Sequence, residues 1–300
     1  MVQTADEIET SFQSLRTWKR AGERAIHKPL LVLFALGRVQ RDEERLVPFS
    51  ETEKPLQALL IQFGTTRGSQ HPEYPFWRLQ SDGIWEVPGG NLLQNRLSNT
   101  DPKITELRTA SGGFTDRIDR ALRADRALLC RIAQTVLNAH FPESLHDSIV
   151  RACGLDLAVQ STAGLERLPR DPKFRTEVLR AYGHKCALCG YHASVDGSVV
   201  GLEAAHVMWH CYSGPNTVEN GLSLCPLHHK IFDLGLVTIK ESRVVVSARV
   251  TEGGSAELHL GRLHGALLHG PVSGYPAVAT SFSEWHERRV FKAPGRAVSA

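Results

Sequence analysis

Hydrophobic residues recur along this 300-residue chain in two different rhythms. Near the start, Ile8, Phe12, Leu15 and Trp18 fall at intervals of 4, 3 and 3. That spacing puts them on one face of a helix and predicts one over Thr4–Arg20. A second helix is predicted over Pro29–Gln40, with the proline in its first turn. Helices over Asp116–Ala139 and Glu143–Cys153 follow, the first rich in Ala, Leu and Arg. Gly83–Val87 reads as a short strand stopped by Pro88-Gly89-Gly90, whereas 55–63 and 76–80 suit helix or strand equally. After Val199 the rhythm changes. A strand-like apolar stretch ends at His206, a loop carries Asn220, and a helical segment bears His229. Val237–Ile239 and Val244–Val250 predict two more strands, and Trp285–Phe291 a terminal helix. The expected class is α+β, a mostly helical first part followed by a mixed second part.

Composition narrows the choices. The longest apolar run, Leu30–Leu36, has seven residues, against the ~20 that span a bilayer. At 42% hydrophobic and 22% charged the chain is neither disordered nor fibrous. The first residues lack a basic segment followed by an apolar one, so the expectation is a cytoplasmic protein with no membrane partner. Six cysteines in such a chain read as thiols or metal ligands, not as a disulfide framework. The net charge of +3 is indifferent as a total. Cut near residue 165, the chain carries 20 basic and 20 acidic side chains before the cut, and 15 and 12 after it. Ten of the fourteen histidines and four of the six cysteines also lie after it. We therefore expect two domains, 1–165 and 166–300.

The second part holds the informative chemistry. Cys186-Ala187-Leu188-Cys189 places two thiolates within reach of one tetrahedral ion, and Cys225 and His228 repeat that spacing. Three sulfurs and an imidazole make a full set for a closed structural zinc site, with Cys211 able to replace one of them. His206, Asn220 and His229 lie outside that set. His229 and Asp233, at i and i+4, share a helix face that suits two ligands of one ion. In order, Glu203-Ala-Ala-His206, Asn220-Gly-Leu and Cys225-Pro-Leu-His-His229-Lys-Ile-Phe-Asp233 resemble the HNH endonuclease superfamily, the ββα-metal nucleases. Within it the pattern looks like the zinc-containing McrA-like branch, over about residues 175–240.

That resemblance implies phosphodiester hydrolysis, which needs a base for water and a cation for developing charge. It makes His206 the base, lets Asn220 orient the loop or the base, and gives His229 a catalytic divalent ion. An N,O donor set admits Mg²⁺, Mn²⁺ or another transition metal. Many relatives carry an acidic or histidine ligand just before the base, where this chain has Ala205. Glu203, on the same face if the strand alternates, either supplies that carboxylate or supports the fold. Lys185 and Lys230, near the site, either meet phosphates or are solvated.

The first part contains His71-Pro-Glu-Tyr-Pro-Phe-Trp-Arg-Leu-Gln-Ser-Asp-Gly-Ile-Trp-Glu86 and, later, Ala139-His-Phe-Pro-Glu-Ser-Leu-His146. With these segments it resembles, over roughly residues 5–160, the sulfur-binding domain that precedes HNH modules in McrA-like type IV restriction enzymes. It implies recognition of phosphorothioated double-stranded DNA. Tyr74 and Pro75 offer apolar surface to a sulfur atom, and Arg67, His71, Arg78, His27 and Lys28 are candidates for adjacent phosphates. Phe76, Trp77 and Trp85 read as core. Two strands need two cuts, so a homodimer suits the task. The competing expectations are an HNH nuclease that reads another mark or plain sequence, and a zinc-containing DNA-binding protein that does not cut.

Overall fold

A computed structural model describes residues 4–15, 19–20, 23–24, 26–64, 70–93, 101–157, 172–253 and 260–297. The chain divides into two compact units, Met1–Glu166 and Arg167–Ala300. The expected boundary at 165 and the candidate Arg67 lie outside the described residues. Among those described, no helix is long and apolar enough to cross a membrane.

The first unit is mostly helical. It runs α1 (Ala5–Gln13), β1 (Lys19–Arg20), β2 (Glu23–Arg24), α2 (His27–Gln40), β3 (Val47–Pro48), α3 (Phe49–Phe63), α4 (Glu73–Arg78), β4 (Trp85–Glu86) and α5 (Gly90–Leu93). Then come α6 (Ile104–Leu107), β5 (Ser111–Phe114), α7 (Asp116–Ala124), α8 (Arg126–His140) and α9 (Glu143–Ala152). Nine residues of α2 are buried, among them Leu30, Leu31, Val32, Leu33, Leu36 and Val39. A helix apolar on every side belongs in the centre, and α2 packs against α3, α4, α7 and α8. The central strand of the small antiparallel sheet β3-β5-β4 is β5. An aromatic chain covers it: Phe12 on Phe114, Phe114 on Trp85, Trp85 on Phe76 and Phe76 on Phe49, with ring centroids 5.0 to 5.8 Å apart. Phe76, Trp77 and Trp85 are buried, as core residues should be.

Two expected elements differ, and two open ones are resolved. The first helix stops at Gln13, capped by Ser14, and Lys19–Arg20 pairs as a strand with Glu23–Arg24. Trp18 lies outside the described residues. The long helix expected over 116–139 is two helices, because Asp125 is extended and its carboxylate accepts from the Leu128 amide at 2.9 Å. An Asp that caps a new helix start ends the preceding one. Both ambiguous segments are helical, 55–63 within α3 and 76–80 in α4 and the 3₁₀ turn that follows it.

The second unit is built on α10 (Pro172–Ala181), β6 (Ser194–Val195), β7 (Ser198–Val199), β8 (Glu203–His206), β9 (Gly221–Leu224), α11 (Pro226–Asp233), β10 (Val237–Lys240), β11 (Arg243–Val246) and α12 (Thr280–Arg289). β8 pairs antiparallel with β9, Glu203 opposite Leu224 and His206 opposite Gly221. α10 lies across this pair. A Cβ on Gly221 would stand 2.4 Å from Val178 Cγ2, so glycine there lets the helix sit directly on the strand. β10 and β11 form a hairpin turned by Glu241 and Ser242, both at positive φ. Behind it, His286 of α12 stacks on Phe232 at 3.8 Å. Its ring nitrogens meet the Thr238 hydroxyl and the Phe232 carbonyl. The unit is thus a ββα motif, β8-β9-α11, backed by a hairpin and two helices.

Candidate functional site

Two clusters of chemistry meet on α11. This helix starts at Cys225, its N-cap, with Pro226 in the first turn. The Cys186–Gly190 knuckle closes on itself through the Gly190 amide to the Cys186 carbonyl at 2.8 Å. It is tied to β9 by the Ala187 amide and the Ser223 carbonyl. The donor atoms of Cys186, Cys189, Cys225 and His228 consequently lie within 4.8 Å of one another. His228 Nδ1 is 3.2 Å from Cys225 Sγ and 3.5 Å from Cys186 Sγ. Tetrahedral zinc with Zn–S near 2.3 Å spaces its donors roughly 3.5–3.8 Å apart, so the set fits such an ion. A hydrogen bond from the Cys225 thiol, against the opposing effect of burial, holds the Cys186 thiol well below the usual thiol range. A sulfur already inclined to the thiolate is what a metal requires. Cys211 is half-buried in the turn His210–Tyr212 and is not one of the four.

One residue further on, His229 faces the other way. Its Nδ1 is 2.6 Å from Glu203 Oε2, and its Nε2 is 3.2 Å from Asp233 Oδ2. Burial alone would lower the His229 pKa, but Asp233 first and then Glu203 outweigh it and push it up to about 9. Asp233 is buried, and its other oxygen accepts from Trp209 Nε1 at 2.9 Å. Two donors about 3 Å apart can share one divalent ion at bond lengths near 2.1 Å, so the His229 Nε2–Asp233 pair fits. Glu203 does not converge on the same point, because it meets the opposite nitrogen of the ring.

His206, at the end of β8, is half-buried. Its Nε2 lies 2.8 Å from Asn216 Oδ1, and its ring stacks on Phe174 of α10 with centroids 4.0 Å apart. Burial lowers its pKa, aided by His210 and His229 and opposed by Asn216 and Asp233. The imidazole is therefore neutral at neutral pH, the form a base needs. Asn220 is fully buried and makes three hydrogen bonds to loop backbone. It accepts from the Met208 amide at 2.7 Å and donates to the carbonyls of Met208 and Pro215, each at 3.0 Å. Asn220 thus orients the loop. Phe174, Trp209 and Asn216 were not singled out by the sequence, since each is a lone residue without motif spacing. Lys185 is exposed beside the knuckle and Lys230 is half-buried on α11.

In the first unit, three candidates come together. The His71 ring stacks on Tyr74 at 4.8 Å, and the Arg78 guanidinium sits 4.5 Å above the same ring. Arg78 is held by Asp101, and His71 by Glu73 at 2.8 Å. Tyr74 is exposed and Pro75 is buried. Lys28 makes an ion pair with half-buried Asp82, and His27 is half-buried.

The family model described as "ScoMcrA-like, DNA sulfur-binding domain" matches residues 5–158, just over half the chain. The chain belongs to that family. The HNH endonuclease model matches residues 186–240, which include every residue of the two α11 clusters. The chain thus joins a DNA sulfur-binding domain to an HNH nuclease domain, the make-up of a McrA-like restriction enzyme. Among solved structures, it is similar to the sulfur binding domain of ScoMcrA complexed with phosphorothioated DNA, at 24% identity and a TM-score of 0.44, over 49% of this chain and 94% of that one. It is similar to the sulfur binding and SRA domains of ScoMcrA complexed with phosphorothioated DNA, at 26% and 0.45, over 49% and 46%. The Type IV phosphorothioation-dependent restriction endonuclease ScoMcrA matches at 24% and 0.41, over 49% of this chain and 27% of that one. No curated protein matches.

Proposed function

We propose that this family member is a modification-dependent endonuclease that binds phosphorothioated double-stranded DNA through residues 1–165 and cuts a nearby phosphodiester through residues 166–300. The observation that carries the reading is one chain with a sulfur-binding family match over 5–158 and a ββα motif presenting His206 and His229. Sulfur is larger and less strongly hydrated than the oxygen it replaces, so apolar surface favours it. Tyr74, with Pro75 behind it, offers that surface. Arg78 and His71 are held against the same ring to meet flanking phosphates, a role to which Arg67, His27 and Lys28 also contribute.

In the nuclease domain, Cys186, Cys189, Cys225 and His228 hold a structural Zn²⁺ that ties the knuckle to α11. A catalytic divalent ion, Mg²⁺, Mn²⁺ or another transition metal, supplies charge stabilisation at the scissile phosphate. His229 Nε2 and Asp233 hold that ion. Glu203 acts through the imidazole, fixing His229 by its Nδ1 in the manner of a carboxylate–histidine pair behind a metal. His206 takes the proton of the attacking water, Asn220 holds the loop beside it, and Lys185 and Lys230 meet DNA phosphates. Two copies of the chain pair on DNA to cut both strands.

Two duplexes of identical sequence, one with a single phosphorothioate, test the reading in paired binding and cleavage assays with Mn²⁺. The modified duplex is expected to bind more tightly and be cut, and His206→Ala to bind it without cutting. Equal affinity and equal cleavage of both duplexes would remove the phosphorothioate from the proposal.

A further inference from the structure

His206 is gripped by two residues, Phe174 and Asn216, beside it in the fold. The parallel Phe174 ring, 4.0 Å away at an interplanar angle of 17°, fixes the plane of the imidazole. Asn216 Oδ1, 2.8 Å from Nε2, fixes its rotation within that plane. An amide oxygen accepts and never donates, so the proton of this hydrogen bond belongs to Nε2. A neutral imidazole carrying its proton there has its lone pair on Nδ1, which makes no hydrogen bond among the described residues.

Asn216 is exposed, yet its position is set from inside. Buried Asn220 donates to the Pro215 carbonyl and pairs both ways with the Met208 backbone. Gly214 presses so closely on Met208 that a Cβ there would lie 1.8 Å from its carbonyl oxygen. The loop from Met208 to Pro215 is closed by these contacts, and the next residue is delivered to His206. Phe174 is placed independently, by α10 lying on β9.

We propose that Asn216 and Phe174 are positioning residues for His206, fixing its ring so that Nε2 keeps the proton and Nδ1 faces the water to be activated. This rests on the reading of His206 as the base. It also gives Asn220 a route to the base through the loop, since its side chain contacts the loop backbone and not the imidazole. The other titratable groups around the ring are His210, with centroids 5.6 Å apart, and Asp233 and His229 of α11.

The test uses the full chain with zinc bound, a phosphorothioate-containing plasmid and Mn²⁺. Asn216→Ala and Phe174→Leu are expected to lower kcat on the order of tenfold to a hundredfold, with DNA Kd and zinc content unchanged. Asn216→Asp keeps the acceptor and the shape but adds a charge. It is expected to raise the His206 titration midpoint, followed by NMR, by about one pH unit, and to carry the acid limb of the cleavage profile with it. A merely structural residue would move neither. An unmoved midpoint in Asn216→Asp, or parental kcat in Asn216→Ala, would overturn the proposal. Full cleavage by His206→Ala would sink the base assignment instead, while the NMR midpoint still reads the contact between Asn216 and the ring.

Discussion

His229 sits between two carboxylates, and that sets how the site answers to pH. Without metal, Asp233 and Glu203 hold its proton up to about 9. The folded value exceeds the ordinary ~6.5, so its stabilising contribution in the metal-free protein is complete below about 6.5. It is lost as pH rises through about 9. A metal requires the neutral imidazole, so binding must expel the proton. Calorimetric titration with Mn²⁺ near neutral pH, in buffers of differing ionisation enthalpy, should count about one proton released per ion. The affinity should climb with pH and level off above about 9. A proton count of zero would show that His229 is not a ligand. Glu203→Gln keeps the shape but weakens the hold on Nδ1, and should loosen Mn²⁺ by roughly tenfold to a hundredfold.

At the scale of elements, the seat of α10 on β9 matters most, because it carries Phe174 to His206. Gly221→Ala would drive a methyl into Val178. We expect a loss of about 1–3 kcal/mol in denaturant unfolding, partly recovered by Val178→Ala, which makes room. Wild-type stability in Gly221→Ala would mean that the helix shifts freely. The range of each contact along the chain explains what was legible in the sequence. Cys186–Cys189, Cys225–His228 and His229–Asp233 are local spacings, legible because a turn or a helix alone brings their side chains together. Phe174 and Asn216 meet His206 only after a helix has docked and a loop has closed, and neither event leaves a local pattern. The same holds for β5: Ser111-Gly-Gly-Phe114 has weak strand preference, and its place in the centre of a sheet comes from β3 and β4 on either side. Conversely, the helix expected over 116–139 is broken because Asp125, set among helix-favouring Ala, Leu and Arg, caps a new helix start instead of continuing the old one.

For the whole molecule, each unit has its own core, the aromatic chain around β5 in one and the Phe174–Val246 cluster in the other. A strong zinc chelator should therefore act on one unit alone. Circular dichroism is expected to show partial unfolding and cleavage to be lost, while binding of the modified duplex persists. Simultaneous loss of binding would contradict independent units. Within the second unit, adjacent residues of one short helix serve different centres, His228 the sulfur cluster and His229 the pair of carboxylates. Each residue advances a helix by about 100°. One residue inserted between them would swing His229 away from Glu203 while His228 stayed in place. A change of length between them would therefore uncouple the two centres, and α11 works as a gauge block whose count of residues there cannot be altered.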